Sequence, residues 1–392
     1  MGTGQSNPPP VESPADGHER GAYRGADPGP TLLVVGAIHG NEPAGLIAGE
    51  RVLARLRAAR PNLAGEVVFL AGNLEALARG VRYVDRDLNR IWRDGPAPAG
   101  GADDVEAREL RATLAAVDRA LARRRGEAYL LDLHTSSAAG APFMTVGDTL
   151  RNRRFARQFP LPVILGLEEQ IDGALLEFMN NRGLVTLGVE AGRHDDPAAI
   201  THHESVIWVA LVASGMLDAR AVPDLAPRRA ELARTASAVP PVVEVRHRHA
   251  IRAADGFRMV PGYSNFDPVR RGQVVAHART GEVRFPEDGR MLLPLYQGLG
   301  DDGFFVAREV RPFWLRVSEL ARHLRLGALL RWLPGVRRHP ARDGVLLVDT
   351  RVARWYPLEI FHLMGYRKLR RDGPILTVSR RAHDLRAPKR YV

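Results

Sequence analysis

His39 and Glu42 stand three residues apart in Gly36-Ala37-Ile38-His39-Gly40-Asn41-Glu42. If a strand ends in the histidine and a helix begins at the glutamate, an imidazole and a carboxylate point at one place, and that place can hold a metal ion. The pair alone is common by chance; a surface turn with two polar residues is spelled the same way. Two more residues change the balance. His134 and Glu190 follow the apolar runs Tyr129 to Leu133 and Val185 to Val189, much as His39 follows Thr31 to Val35. Zinc in hydrolytic sites takes three protein ligands from His and Glu and leaves the fourth position to a water whose pKa falls toward ~7. His39, Glu42 and His134 make such a set, a close pair plus one ligand far along the chain. Glu190 then has the place of a general base that takes a proton from water and returns it to a leaving amine. Positive charge for an oxyanion and an acidic substrate is supplied by Arg82-Tyr83-Val84-Asp85-Arg86-Asp87-Leu88-Asn89-Arg90.

The elements that must position these residues are legible from periodicity. Residues 31–38 read as a buried strand and 43–59 as a helix with Leu46, Ile47, Val52, Leu53 and Leu56 on its apolar face. A strand at 66–71, a helix at 105–124, strands at 129–133, 161–165 and 185–189, and helices at 173–181 and 203–217 follow. Strands alternating with helices predict an α/β fold, a mixed and mostly parallel sheet covered by helices on both faces. His39, His134 and Glu190 fall just past three predicted strands, at the carboxyl edge where such sheets bind ligands.

With 392 residues and 45% hydrophobic content the chain can bury a sizeable core, and two compact units are expected. Cysteine is absent, which excludes disulfides, Cys-ligated zinc and a cysteine nucleophile, and suits a reducing compartment; a cytoplasmic location is expected. Residues 1–30, rich in Pro and Gly with no apolar core segment, read as a disordered leader. The longest apolar run, Val206 to Leu217, is too short to span a bilayer. Residues 31–220 read as the catalytic domain, 221–241 as a Pro/Ala/Arg-rich linker, 242–310 as a small β domain covering the site, and 311–392 as a basic extension. The formal charge is +11, and residues 311–392 hold 19 basic against 6 acidic side chains, a net of +13, so the rest of the chain is slightly acidic. Lysine occurs only at 368 and 389, which excludes a P-loop, and the basicity of the tail alone gives no expectation of a nucleic-acid partner. Gly298-Leu299-Gly300-Asp301-Asp302-Gly303 matches the dinucleotide fingerprint in form, but its two aspartates would repel a pyrophosphate and strand-like Phe304-Phe305-Val306 follows, so it reads as a turn. The tail opens with an amphipathic helix predicted over 313–333, in which Phe313, Val317, Leu320 and Leu324 share one face. Packing of that face on the catalytic unit is the expectation; dimerisation and contact with an anionic membrane surface are the alternatives.

Taken together, Gly36-x-x-His39-Gly40-Asn41-Glu42, Arg82-Tyr83, Asp87-Leu88-Asn89-Arg90, Asp132-Leu133-His134 and Gly188-Val189-Glu190-Ala191-Gly192 resemble the succinylglutamate desuccinylase and aspartoacylase family, relatives of the zinc carboxypeptidases. The resemblance covers roughly residues 31–310. It implies one zinc per chain on His39, Glu42 and His134, Glu190 as catalytic carboxylate, Arg82 as oxyanion-stabilising arginine, and Asn89 and Arg90 as clamps on a substrate carboxylate. Asp87 would orient the loop, and Tyr296 is similar to the aromatic that the family's β domain places over the substrate. Arginines for a second substrate carboxylate are not clearly matched; Arg182 is near. His194, His202, His203, His247 and His249 lie outside the three strand ends and read as surface or supporting histidines. The expected function is a zinc-dependent amidohydrolase that cleaves the amide bond of an N-acyl amino acid or similar small acid, a small acidic N-acyl substrate. A carboxypeptidase-like enzyme acting on a peptide or cell-wall fragment is the nearer alternative, told apart by whether 242–310 closes the site. An arginine-rich anion- or nucleic-acid-binding protein with a vestigial site is the alternative of another class. A homo-oligomer is compatible with each.

Overall fold

The computed structural model describes residues 17–93, 104–222, 224–353 and 358–388. Two strands, β1 (Glu19–Arg24) and β2 (Asp27–Gly36), precede α1 (Ala44–Ala59), β3 (Ala64–Ala71), α2 (Leu74–Arg79), α3 (Val105–Arg123) and β4 (Ala128–Ser136). Next come β5 (Phe143–Thr145), α4 (Leu150–Ala156), β6 (Val163–Leu165), α5 (Leu167–Gln170), α6 (Leu175–Asn181), β7 (Val185–Arg193) and α7 (Ala198–Ala213). Strands β3, β2, β4 and β7 lie side by side and parallel, and their near-continuous apolar runs suit strands buried on both faces. Alternate residues divide between two cores. Leu32, Val34, Phe69 and Leu131 pack with α1 and α7 on one face; Leu33, Val35, Val68 and Leu130 pack with α3 and α6 on the other.

The turn after β2 is held by close backbone approach. A Cβ at Gly40 would lie 2.0 Å from the carbonyl carbon of Ala76 in α2, so only glycine fits between His39 and Asn41. Ala37, fully buried, adopts a left-handed φ of 55°, and its carbonyl accepts from the backbone N–H of Asn73 at 2.8 Å.

Beyond α7 the structure departs from the expected boundaries. The segment read as a linker contains α8 (Leu225–Thr235), whose Leu232 is buried in the first core. Strand β8 (Val242–Ala250) pairs in parallel with β6, Val163 opposite Val242, so the catalytic sheet does not stop at residue 220. It runs on through eleven strands in the order β1-β3-β2-β4-β7-β5-β6-β8-β14-β13-β10, where β10 is Pro268–Val269, β13 Gly289–Leu292 and β14 Asp302–Glu309. Three further strands, β9 (Arg258–Met259), β11 (Val274–Ala278) and β12 (Gly281–Arg284), form a separate small sheet. At the other edge, residues 19–24 are ordered rather than leader: β1 pairs antiparallel with β3 and covers its hydrogen-bonding edge, which proline and glycine counts do not reveal. Residues 1–16 lie outside the described residues.

The extension contains α9 (Pro312–His323), a 3₁₀ segment (Leu326–Trp332), β15 (Val336–Arg338), β16 (Val345–Asp349), α10 (Leu358–Leu363), β17 (Tyr366–Asp372) and β18 (Ile375–Arg380), the four strands forming a third sheet. The predicted single helix over 313–333 is thus broken, with Arg325 in a left-handed conformation at the break. No helix among the described residues is long and apolar enough to cross a membrane.

Candidate metal centre and active-site pocket

Adjacency of β2, β4 and β7 brings together residues that are far apart in the chain. His39 follows β2 at the turn. His134 and Glu190 lie within β4 and β7, which run on past the ends expected for them, and stand opposite each other in register. Paired residues of neighbouring strands project to the same face, so imidazole and carboxylate share one side of the sheet.

Glu42 is the hub. Its carboxylate meets Nδ1 of His39 at 2.9 Å and Nδ1 of His134 at 3.0 Å, and it accepts from the Thr135 backbone N–H at 3.1 Å and Nη1 of Arg82 at 3.3 Å. The opposite ring nitrogens are also taken: Nε2 of His39 lies 3.2 Å from Asp87, and Nε2 of His134 lies 3.0 Å from Asp132. Each imidazole is therefore oriented by an outer carboxylate and turns its other nitrogen to a common centre, the usual dressing of a metal-bound histidine. The ligand atoms of His39, Glu42 and His134 all fall within 4.8 Å of one another. Two nitrogens and one carboxylate, buried and preoriented, fit zinc.

The electrostatics agree with that fit. Burial opposes the charge on Glu42, but the two imidazoles prevail and hold its carboxyl well below the ordinary range. Burial likewise opposes a charged His134, yet Asp132 and Glu42 raise its pKa well above that of a free imidazole. The cluster is rich enough in negative charge to retain a proton where a cation would sit. Asp87 is held well below the carboxylate range because His39 and Arg82 outweigh its burial. Glu190 behaves oppositely. Burial pushes its carboxyl up to about 8 against the pull of His134, and its Oε2 has no hydrogen-bond partner among the described residues.

The pocket holding these groups has a volume of about 130 Å³. Arg82, Asn89 and Arg90 also line it. The loop that carries them is fixed by Glu106 in α3, a residue not singled out from the sequence: its carboxylate accepts the backbone N–H groups of Val84, Asp85 and Arg86 at 2.7, 3.0 and 3.2 Å. Arg82 bridges Glu42 and Asp87. The Asn89 side-chain oxygen holds the Leu175 N–H at 2.8 Å. Arg90 is paired with Asp302 at 2.7 Å, so a substrate carboxylate at Arg90 would have to replace that partner.

Tyr296 does not reach the pocket. Its hydroxyl donates to the Val260 carbonyl at 3.0 Å and accepts from the Tyr263 N–H at 2.9 Å, which ties the ring to the loops between β9 and β10. The neighbouring Gln297 points inward instead: its Oε1 accepts from Nδ2 of Asn41 at 3.0 Å and lies 3.2 Å from Nε2 of His194. His194 lines the pocket too, with Nδ1 2.7 Å from Thr135 Oγ1, and burial lowers its pKa. Its position four residues beyond Glu190, on the continuation of β7, was the available signal. Asp301 and Asp302, within the rejected dinucleotide-like turn, line the mouth. From the tail, Arg381 lies 2.9 Å from Glu168, another wall residue that burial pushes up to about 7. Arg182 pairs with Asp118 on the far side of α3 and is not among the pocket residues. A larger cleft of about 1070 Å³, lined by Arg124, Arg151, Arg154 and Arg229, contains none of the residues predicted for the site. Replacing Gln297 by Ala is expected to lower kcat/KM about fivefold or more by freeing Asn41 and His194, whereas Tyr296→Phe stays within about twofold; steady-state kinetics on one substrate compares them.

Residues 28–202 match the model of the succinylglutamate desuccinylase/aspartoacylase catalytic domain. Succinylglutamate desuccinylase of Pseudomonas aeruginosa is 39% identical over 84 residues, 21% of this chain and 25% of that protein. The chain therefore aligns with only about a quarter of that relative's length. Among solved structures, a succinylglutamate desuccinylase/aspartoacylase from Rhodobacter sphaeroides superposes with a TM-score of 0.55 at 19% identity, covering 75% of this chain and 88% of the other. Succinylglutamate desuccinylase from Vibrio cholerae gives a TM-score of 0.51 at 17% identity, covering 73% and 83%. These likenesses show the fold, and the matched catalytic domain carries His39, Glu42, Arg82, Asn89, Arg90, His134 and Glu190 within its bounds. Residues 28–202 thus form a catalytic domain of the succinylglutamate desuccinylase/aspartoacylase type.

Proposed function

We propose that this protein is a zinc-dependent deacylase that hydrolyses the amide bond of an N-acyl amino acid or similar small acid. The observation that carries the reading is the convergence of His39 Nδ1 and His134 Nδ1 on Glu42, with Glu190 in register beside His134. His39, Glu42 and His134 would hold the ion, and the chemistry a bound zinc supplies is polarisation of a carbonyl and acidification of a water. Glu190, whose Oε2 is unpartnered, takes the proton of the attacking water and delivers it to the departing amine nitrogen. Arg82 presents a guanidinium beside Glu42, where negative charge develops on the attacked carbonyl oxygen. Asp87 and Asp132 keep both imidazoles in one orientation. Asn89 and Arg90 bind the substrate carboxylate, Arg90 exchanging Asp302 for it.

The small pocket, capped by Leu295, Gln297 and the Gly300–Asp302 turn, favours a compact substrate over a polymer lying in an open groove. Metal analysis together with hydrolysis of N-acetylaspartate, N-succinylglutamate, neutral N-acyl amino acids and short peptides tests the proposal. The expected result is about one zinc per chain and turnover of a small N-acyl acid, abolished by a chelator and restored by zinc. Absence of bound metal, or turnover of peptides alone, would overturn it.

A further inference from the structure

Helix α9 is turned inside out. Phe313, Val317, Leu320 and Leu324 fall on one stripe at helical spacing, and that stripe faces solvent: Phe313 is 63% exposed, and Leu320 and Leu324 are each 61% exposed. The opposite face carries Ser318 and Arg322, each only 1% exposed. Ser318 donates to the Leu363 carbonyl at 2.8 Å, and Arg322 is paired with Asp148 at 2.9 Å and with Asp384 at 3.3 Å. The polar side of the helix is thus committed to the protein and cannot roll outward to hide the apolar side. The 3₁₀ segment continues the patch with Leu326, Leu329 and Trp332, the last 69% exposed. Seven of the ten large exposed hydrophobic side chains among the described residues lie within residues 313–332. So concentrated a patch marks an interaction surface.

What covers it follows from the charges around it. Arg311, Arg316, Arg325 and Arg331 are exposed within the same stretch, and the Arg331 guanidinium lies 5.1 Å from the centre of the Trp332 ring. Glu319 is the single acid between 311 and 333, and Arg157 already takes it at 2.7 Å. A second copy of the chain, meeting this patch with its own across a two-fold axis, would set arginines against arginines. A nucleic acid would satisfy the arginines but offers no apolar medium to four leucines and a phenylalanine. A bilayer bearing anionic headgroups meets both needs, with aliphatic and aromatic side chains at the level of the upper acyl chains and guanidiniums on the phosphates. We infer that α9 and the segment after it form a docking face for an anionic phospholipid surface, on which the protein rests without crossing it. This inference is independent of the deacylase reading.

Flotation of the full chain with vesicles tests it, using phosphatidylcholine alone and phosphatidylcholine containing phosphatidylglycerol. The expected result is co-flotation with the anionic vesicles only, released by salt, with a blue shift of tryptophan emission. Leu320→Ser/Leu324→Ser, exposed positions whose loss leaves the core intact, should lower the bound fraction about tenfold or more, and Arg316→Glu/Arg331→Glu should do likewise. Circular dichroism and unchanged hydrolase activity verify that both variants are folded. Equal binding to neutral vesicles, or no binding by the wild type, overturns the proposal. So does a wild-type dimer in light scattering that becomes monomeric in Leu320→Ser/Leu324→Ser without any vesicle binding, which would give the face to a second copy.

Discussion

Glu190→Gln is expected to lower kcat by about a thousandfold or more while metal content and fold are unchanged. The substitution keeps the shape of a side chain whose Oε2 is buried without a partner, so little packing is lost. What disappears is the ability to accept a proton beside His134. Metal analysis and steady-state kinetics on one substrate are sufficient to check it, and a variant that retains most of its rate would remove Glu190 from the chemistry. The pH profile adds a second readout. Burial pushes the Glu190 carboxyl up to about 8, so it is protonated, and useless as a base, below that value in the absence of a cation. A divalent cation beside it favours the ionised form and lowers that value. The wild type should therefore lose kcat/KM as the pH falls, through a limb centred below 8, and the residual activity of Glu190→Gln should lack that limb.

Asp148→Ala should cost about 3–5 kcal/mol of stability and loosen the extension. Asp148 is fully buried at the end of the β5 loop, and three guanidiniums converge on it: Arg153 at 2.5 and 2.9 Å, Arg322 at 2.9 Å, and Arg367. Two of them come from beyond residue 311, so this carboxylate is a principal anchor of the tail. Removing it leaves three buried like charges facing one another, a far larger penalty than the loss of any surface pair. Urea unfolding measures the cost, and limited proteolysis should show new cleavage within 311–388. A normal midpoint with an uncut tail would refute the anchor. The pH sense follows from its pKa, which the arginines hold well below the usual value of 3.8 despite burial. The stability it supplies is fully present above that usual value and is lost as the pH falls through the depressed one.

The grouping of His39, Glu42 and His134 was legible in the sequence because the relevant constraints are local or periodic. A strand, a glycine that admits only a tight turn, and a helix opening at Pro43 put His39 and Glu42 within one turn, and apolar runs bring His134 and Glu190 to neighbouring strands. The same periodicity gave the parallel heart of the sheet, and ordered motifs gave the type of catalytic domain. Tertiary structure alone decided the rest. Tyr296 and Gln297 alternate along the chain, and which of them faces the pocket depends on the hydrogen bonds of Tyr296 to residues 260 and 263, made across the fold. The linker and the leader were misread because Pro, Ala and Gly content records flexibility in isolation, whereas α8 and β1 are stabilised by a core and a sheet edge already in place. In α9, a stripe of Phe313, Val317, Leu320 and Leu324 is the pattern of a core-facing helix. Asp148, more than 160 residues earlier, needs buried counter-charge, and satisfying it turns Arg322 inward and the stripe outward. Periodicity reports that a helix has two faces; the charges buried elsewhere in the fold choose which one meets the solvent.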